Sequence, residues 1–238
     1  MGTATCSSKG DTVSHAHRIL WSLFQNREDG GERDFLWREQ RPGHYLVLSR
    51  SHPDNGHGLF EVETKAFAPA LKAGDVLSFA LRANPVVSRK HGWDDGKEKR
   101  DGKGRIRGMR CDIVMDALKP FTGARGPRED GRTERALKRD EATAEAALNW
   151  MRAQGERHGF NLAADPETGK PRLHALAYET VPIPRMKGTA FLKPAKFGVL
   201  DLEGLIEVAD PGLFLGQLAK GFGKAKAFGC GLMLIRRA

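Results

Sequence analysis

At 238 residues and 26.2 kDa the chain is long enough for one large domain or two small ones with a buried core. Hydrophobic residues at 39%, charged residues at 29% and a mean hydropathy of −0.49 exclude collagen, coiled-coil rods and knottins, and match a soluble globular protein. Lys and Arg outnumber Asp and Glu by 39 to 30, a formal charge of +9, which makes a polyanion such as nucleic acid the first partner to consider.

In chain order, SHAHRILWSLF places Ile19, Leu20, Leu23 and Phe24 at helical spacing, with Ser14 as N-cap. RDFLWRE (33–39) and HYLVLS (44–49) read as two strands joined by a turn at Pro42 and Gly43, a hairpin. VLSFALRANPVV is a further strand. From Arg89 to Arg110 five glycines sit among nine Lys or Arg and four Asp or Glu, and the chain then returns to an apolar run, CDIVMDAL, that reads as a strand. Residues 121–132 have linker composition and mark the expected boundary between domains 1–120 and 133–238. Beyond it, 134–158 reads as one long helix with Ala136, Ala144, Ala147, Leu148 and Met151 on its apolar side and Gly159 as its stop. LHALAYETVPI and FGVLDLEGLIEV are strands joined by a basic connection, RMKGTAFLKPAK. Asp210 caps a helix starting at Pro211, and LMLI closes the chain as a strand. Both halves fit an α+β, ferredoxin-like order loosely.

Three cysteines, Cys6, Cys111 and Cys230, form no C-x-x-C pair, so neither a disulfide framework nor a zinc site is signalled, and a reducing cytoplasm fits best. No apolar leader or run of 18 apolar residues occurs, so the chain is expected neither to be exported nor to span a membrane. No cofactor motif is present: GFGKAKAFGCG near the end lacks the G-x-x-x-x-G-K-[ST] pattern and precedes a strand rather than following one.

Two groups of residues carry possible chemistry. Gly221, Gly223, Gly229 and Gly231 in GFGKAKAFGCG can present backbone amides to a phosphate, with Lys224 and Lys226 adding charge. The plain alternative is a tight passage from helix to strand. The basic residues Arg89, Lys90, Lys97, Lys99, Arg100, Lys103, Arg105, Arg107 and Arg110 form a clamp for RNA phosphates or, alternatively, a solvated loop. Trp93 and Arg105 are candidates for stacking on bases. His17 is one of eight histidines. An imidazole, with an unperturbed pKa of about 6.5, moves protons near neutral pH, and RNA carries its own nucleophile in the 2′-OH. One histidine and positive charge therefore suffice for transesterification without a metal, although an ordinary surface histidine is the simpler reading of His17 taken alone. Asp94, Asp95, Glu129 and Asp130 lie in linker-like surroundings and read as solvated charge rather than metal ligands.

HRILWSLFQN, RDFLWRE, FALRANPVV, CDIVMDAL, LDLEG and the terminal GFGKAKAFGCGLMLI stand in the order found in the CasE family, the CRISPR RNA-processing endoribonucleases of the type I-E Cascade complex, which the chain resembles from about Ala16 to its end. The resemblance implies two tandem ferredoxin-like (RRM-like) domains. It implies recognition of the CRISPR repeat stem-loop and metal-independent cleavage at the base of the stem, leaving a 2′,3′-cyclic phosphate and a 5′-OH. A monomer when free, the enzyme would then stay on the mature crRNA and join the other Cascade subunits. On the same basis His17 falls on the family's catalytic histidine. Arg185 and Lys187, with Lys193 and Lys196 in the same connection, fall where basic side chains grip the RNA stem, and GFGKAKAFGCG matches the glycine-rich loop.

The sequence departs from the family in two places. Ser14 stands where some relatives carry a catalytic tyrosine, and MGTATCSSKGDTV cannot supply the family's opening apolar strand. Either the start is divergent or the first sheet lacks a strand. A non-cleaving RNA-binding subunit of the same assembly is the alternative that Ser14 raises, and a general basic RRM-type protein is a third reading.

Overall fold

The computed structural model describes residues 16–24, 35–89, 109–122, 133–187 and 190–238, with backbone only at 89, 109, 122, 184–187 and 190–193. The expected first helix is present as α1 (16–21), tightening into a 3-10 turn at Ser22–Phe24. The expected hairpin follows as β1 (Phe35–Arg41) and β2 (His44–Ser49), paired antiparallel from Phe35↔Ser49 to Arg41↔His44. Ala16, Leu20, Leu23 and Phe24 from α1 and its turn bury against Phe35 and Trp37 from β1, which makes a small aromatic core. The question of the opening strand lies outside the described residues.

Among the described residues the main sheet has five strands. β3 (Val76–Ala83) lies between β8 (Ala190–Val208) and β9 (Met233–Arg237), while β6 (Phe160–Leu162) and β7 (Leu173–Lys187) pair with the other edge of β8, all antiparallel. Its inner face follows from strict alternation: Leu77, Phe79, Leu81 and Ala83 of β3 meet Leu200, Leu202, Ile206 and Val208 of β8 in one core. Helices α4 (Arg139–His158) and α5 (Pro211–Lys220) cover that face with Ala147, Trp150, Met151, Phe214 and Leu218. Each such large side chain, fully buried, contributes about 1.5–3 kcal/mol. The sheet therefore takes β3 from before the expected 121–132 boundary and β6–β9 from after it.

Four local expectations are corrected. VLSFALRANPVV is two strands: β3 ends at Ala83, and beyond Asn84 and Pro85 β4 (Val86–Arg89) joins a separate two-stranded ribbon. CDIVMDAL is not one strand: β5 (Met109–Asp112), paired with β4 (Val86–Arg89), ends at Asp112, and α2 (Ile113–Ala117) begins there. The Asp112 carboxylate accepts the amides of Val114 and Met115 at 3.0 Å each, which satisfies donors that open a helix and outweighs the strand preference of Ile113 and Val114. The 134–158 helix is broken at Lys138 into α3 (Glu134–Leu137) and α4; its buried side includes Trp150 and Gln154, while Ala136 and Ala144 are exposed. RMKGTAFLKPAK is not a separate connection, because β7 and β8 run on through it as one long hairpin paired to Lys187↔Ala190. The helix stop at Gly159 and the cap at Asp210, whose carboxylate accepts the Leu213 amide at 3.0 Å, are as expected.

Candidate active site and the cleft beside it

His17 sits half-buried on α1. Trp21, one helical turn on, meets its ring edge-on at 5.6 Å and 70°, and Phe35 of β1 lies 6.2 Å away. Trp21 and Phe35 contact each other at 5.5 Å, and Phe24 stacks on Phe35 at 4.6 Å. The imidazole is thus held by rings that are themselves held. Trp21 and Phe35 had no role in the sequence reading, although the four-residue spacing of His17 and Trp21 is a readable sign of the first contact. Ser14 lies outside the described residues.

The glycine-rich segment follows α5 and receives β1. A Cβ at Gly221 would stand 2.8 Å from the Leu36 methyls, and one at Gly229 would stand 3.1 Å from the Trp37 ring, so these positions are the seat on which the N-terminal hairpin rests. At Gly223, with φ +73°, a Cβ would lie 2.7 Å from the Asn84 carbonyl oxygen, and Gly231 is packed as closely against the carbonyl of Phe222. The amides of Gly221, Phe222, Lys224, Phe228 and Gly231 all donate to carbonyls of the protein. The loop also carries charge, at exposed Lys224 and part-buried Lys226.

The other basic candidates fall on two ribbons. Arg89 and Arg110 stand on β4 and β5, near the start and end of the basic connection, and Arg110 is exposed. Lys90, Lys97, Lys99, Arg100, Lys103, Arg105 and Arg107 lie outside the described residues, as does Trp93. Arg185 and Lys187 belong to the far end of β7, and Lys193 and exposed Lys196 to the facing part of β8. The two ribbons share a root. The Tyr178 hydroxyl of β7 donates to Asp112 of β5 at 3.0 Å, and Arg139 of α4 lies over the Tyr178 ring at 5.6 Å. Burial and the neighbouring Asp112 charge push the Tyr178 phenol well above its usual range, so it stays a neutral donor.

Between β1 and the outer face of the sheet lies a cleft of about 330 Å³ lined by Trp37, Arg38, Arg82, Phe197, Asp201 and Phe228 among others. Arg82 of β3 bonds to Glu179 of β7 and, at 2.5 Å, to its register partner Asp201 of β8. Burial raises the Asp201 carboxyl above its ordinary value, against the pull of Arg82 and Arg38. Burial likewise pushes the Cys230 thiol up to about 12, so it is no nucleophile. Among the described residues no group of three or more His, Cys, Asp or Glu is placed to hold a metal ion, and no helix is long and apolar enough to cross a membrane.

Comparison with known proteins agrees with this architecture. The chain is 24% identical over 222 residues to the CRISPR system Cascade subunit CasE of Escherichia coli K12, covering 91% of this chain and 88% of that protein. It is 28% identical over 229 residues to the CRISPR-associated endoribonuclease Cse3 of Thermus thermophilus, covering 92% and 87%. Among solved structures, Cse3 bound to a 19-nucleotide RNA superposes with a TM-score of 0.62 at 24% identity, covering 97% of this chain and 94% of that one. Cas6e from E. coli K-12 gives 0.52 at 19%, covering 96% and 94%. These two likenesses show a shared mixed helix-and-sheet fold. The model of the family described as CRISPR associated protein matches residues 3–237, nearly the whole length, and the chain belongs to that family.

Proposed function

We propose that the protein is an endoribonuclease that binds the stem-loop of CRISPR repeats, cleaves precursor CRISPR RNA without a metal, and remains on the mature guide as a subunit of a Cascade assembly. The observation that carries the reading is the match of the family model over 3–237, together with relatives named as a Cascade subunit and as an endoribonuclease. The two tandem ferredoxin-like domains of the resemblance are part of the same proposal.

The chemistry assigned to the chain is proton transfer by His17. The ribose 2′-OH attacks the adjacent phosphorus, the bond to the 5′-oxygen breaks, and the products are a 2′,3′-cyclic phosphate and a 5′-OH. The imidazole either takes the proton from the hydroxyl or gives one to the departing oxygen. Its placement supports this: a ring braced by Trp21 and Phe35 keeps its orientation, and its partial exposure, with Nδ1 buried, leaves the rest of the ring reachable. Basic side chains of the two ribbons, Arg110 and Lys196 exposed among them, and Lys224 of the glycine-rich segment would hold phosphates, supplying affinity and position.

Incubating the protein with its host's CRISPR repeat RNA and with a scrambled RNA of equal length, both in EDTA, tests the reading. Cleavage of the repeat alone is expected. Tight binding without cleavage would replace the enzyme by the non-cleaving subunit, and equal binding of both RNAs would leave only a general basic RNA binder.

A further inference from the structure

The two basic ribbons meet at Gly198 of β8, where there is no room for a side chain. A Cβ there would stand 2.7 Å from the Tyr178 hydroxyl and closer still to the Asp112 carboxylate. Asn84, buried between β3 and β4, donates its side-chain amide to the Gly198 carbonyl at 2.7 Å. The root of the β4–β5 ribbon is therefore packed directly on the β7–β8 ribbon. Pleating places Arg110 on the side of β5 that carries Asp112, and Lys196 on the side of β8 that Gly198 occupies, each about 7 Å of strand from the joint. Both are exposed, and their cross-strand partners, Ser88 and Pro182, carry no charge.

A third cation stands at the same joint. Arg139, the first residue of α4, is exposed, and its guanidinium carbon lies 5.6 Å from the centre of the Tyr178 ring. Because the Tyr178 hydroxyl is bonded to Asp112, the ring beneath Arg139 is itself fixed. Contact with the ring holds the cation in place and leaves most of its five N–H donors for an acceptor. Among the described residues no carboxylate pairs with it. Glu141 is held by Lys138 at 2.7 Å, and Asp112 by Tyr178 and the α2 amides. Asp140, the next residue, leaves α4 about 100° further round the helix. Cations from three elements around one joint repel one another until an anion with several oxygens lies between them.

We infer that Arg139 is an RNA phosphate contact, set by Tyr178 so that it acts with Arg110 and Lys196 as one grip at the root of the two ribbons. The inference rests on the RNA-processing reading above and adds to it a residue of a helix that reading leaves out. A guanidinium held before the RNA arrives loses less freedom on binding, so it contributes more than its charge alone.

The test measures binding of the host's repeat RNA in EDTA between about 50 and 200 mM salt. It compares the unaltered protein with Arg139→Gln, Arg139→Lys and Arg152→Gln, the last removing an exposed arginine further along the same helix. Arg139→Gln should lower affinity about tenfold and the salt slope by about one. Arg139→Lys keeps the charge, so its slope should match the unaltered protein's while part of the affinity stays lost. Arg152→Gln should leave both near the unaltered values. The inference is overturned if Arg139→Gln leaves the slope unchanged, whether or not its melting temperature falls, because the contact with Tyr178 is then structural only. It is equally overturned if Arg152→Gln lowers slope and affinity by as much, since the general field of a basic protein then accounts for the effect. Should Arg139→Gln fold poorly, Arg139→Lys decides: affinity equal to the unaltered protein's would remove the role of the fixed guanidinium. Absence of any RNA binding by the unaltered protein would instead defeat the underlying reading, and the inference with it.

Discussion

The main sheet and the N-terminal unit are built to different specifications. The sheet buries a continuous core running from Leu77 to Met233, to which α2, α4 and α5 contribute. Among the described residues, the unit that carries His17 buries one small cluster, Ala16, Leu20, Leu23, Phe24, Phe35 and Trp37, and leans on the glycine-rich segment through Leu36 at Gly221 and Trp37 at Gly229. The difference teaches that the scaffold's stability and the site's geometry are separable. Damage to the sheet should unfold the protein, whereas damage to the small unit or its seat should spoil cleavage first.

Phe214→Ala should give the largest effect. Its side chain is fully buried against Phe160 at 5.6 Å, and truncation should cost about 3–5 kcal/mol in urea unfolding. His17→Ala is the converse. Cleavage should fall by about 10²-fold or more with RNA affinity and melting temperature nearly unchanged. A variant that loses stability as Phe214→Ala does would break the comparison.

Gly229→Ala probes the seat. At φ +74° an added Cβ meets the Trp37 ring at 3.1 Å, so backbone strain of about 1–2 kcal/mol is expected together with displacement of β1. The cleavage rate should fall by more than the stability loss explains, since the protein remains folded at the assay temperature. Single-turnover kinetics beside thermal melts separate the two.

The smallest effect is a pH dependence in the scaffold. Burial, with the charges of Arg157 and Lys220, lowers the pKa of His158 below its ordinary 6.5. In the unfolded chain the imidazole therefore binds a proton at a higher pH than in the folded one. Its contribution to stability is present above pH 6.5 and is lost as pH falls through the folded value. In His158→Gln the acid side of the stability profile should be shallower, as read by urea midpoints between pH 5 and about 7.5.

What was legible in the sequence were features with local causes. The first helix, the β1–β2 hairpin, the cap at Asp210 and the stop at Gly159 each follow from residues within a turn of one another. What was not legible depended on distant partners. Asp112 turns a strand-like run into a helix, and its side chain is also held by Tyr178, 66 residues away. β3 finds its place between strands more than 100 residues later in the chain, and Arg82 there closes ion pairs with Glu179 and Asp201. At the site, His17 was reached through the family resemblance. Its support by Phe35 and the seating of Trp37 on Gly229 required the fold.

The central claim is that the ribose hydroxyl beside the scissile phosphate is the nucleophile and that this chain only positions it and moves its protons. Replacing that single 2′-OH by hydrogen in the repeat RNA tests it most directly, with binding and single-turnover cleavage measured in EDTA. Unchanged affinity and no detectable cleavage are predicted. Cleavage of the deoxy-substituted RNA at the same bond, at a rate near that of the unmodified RNA, would contradict the account.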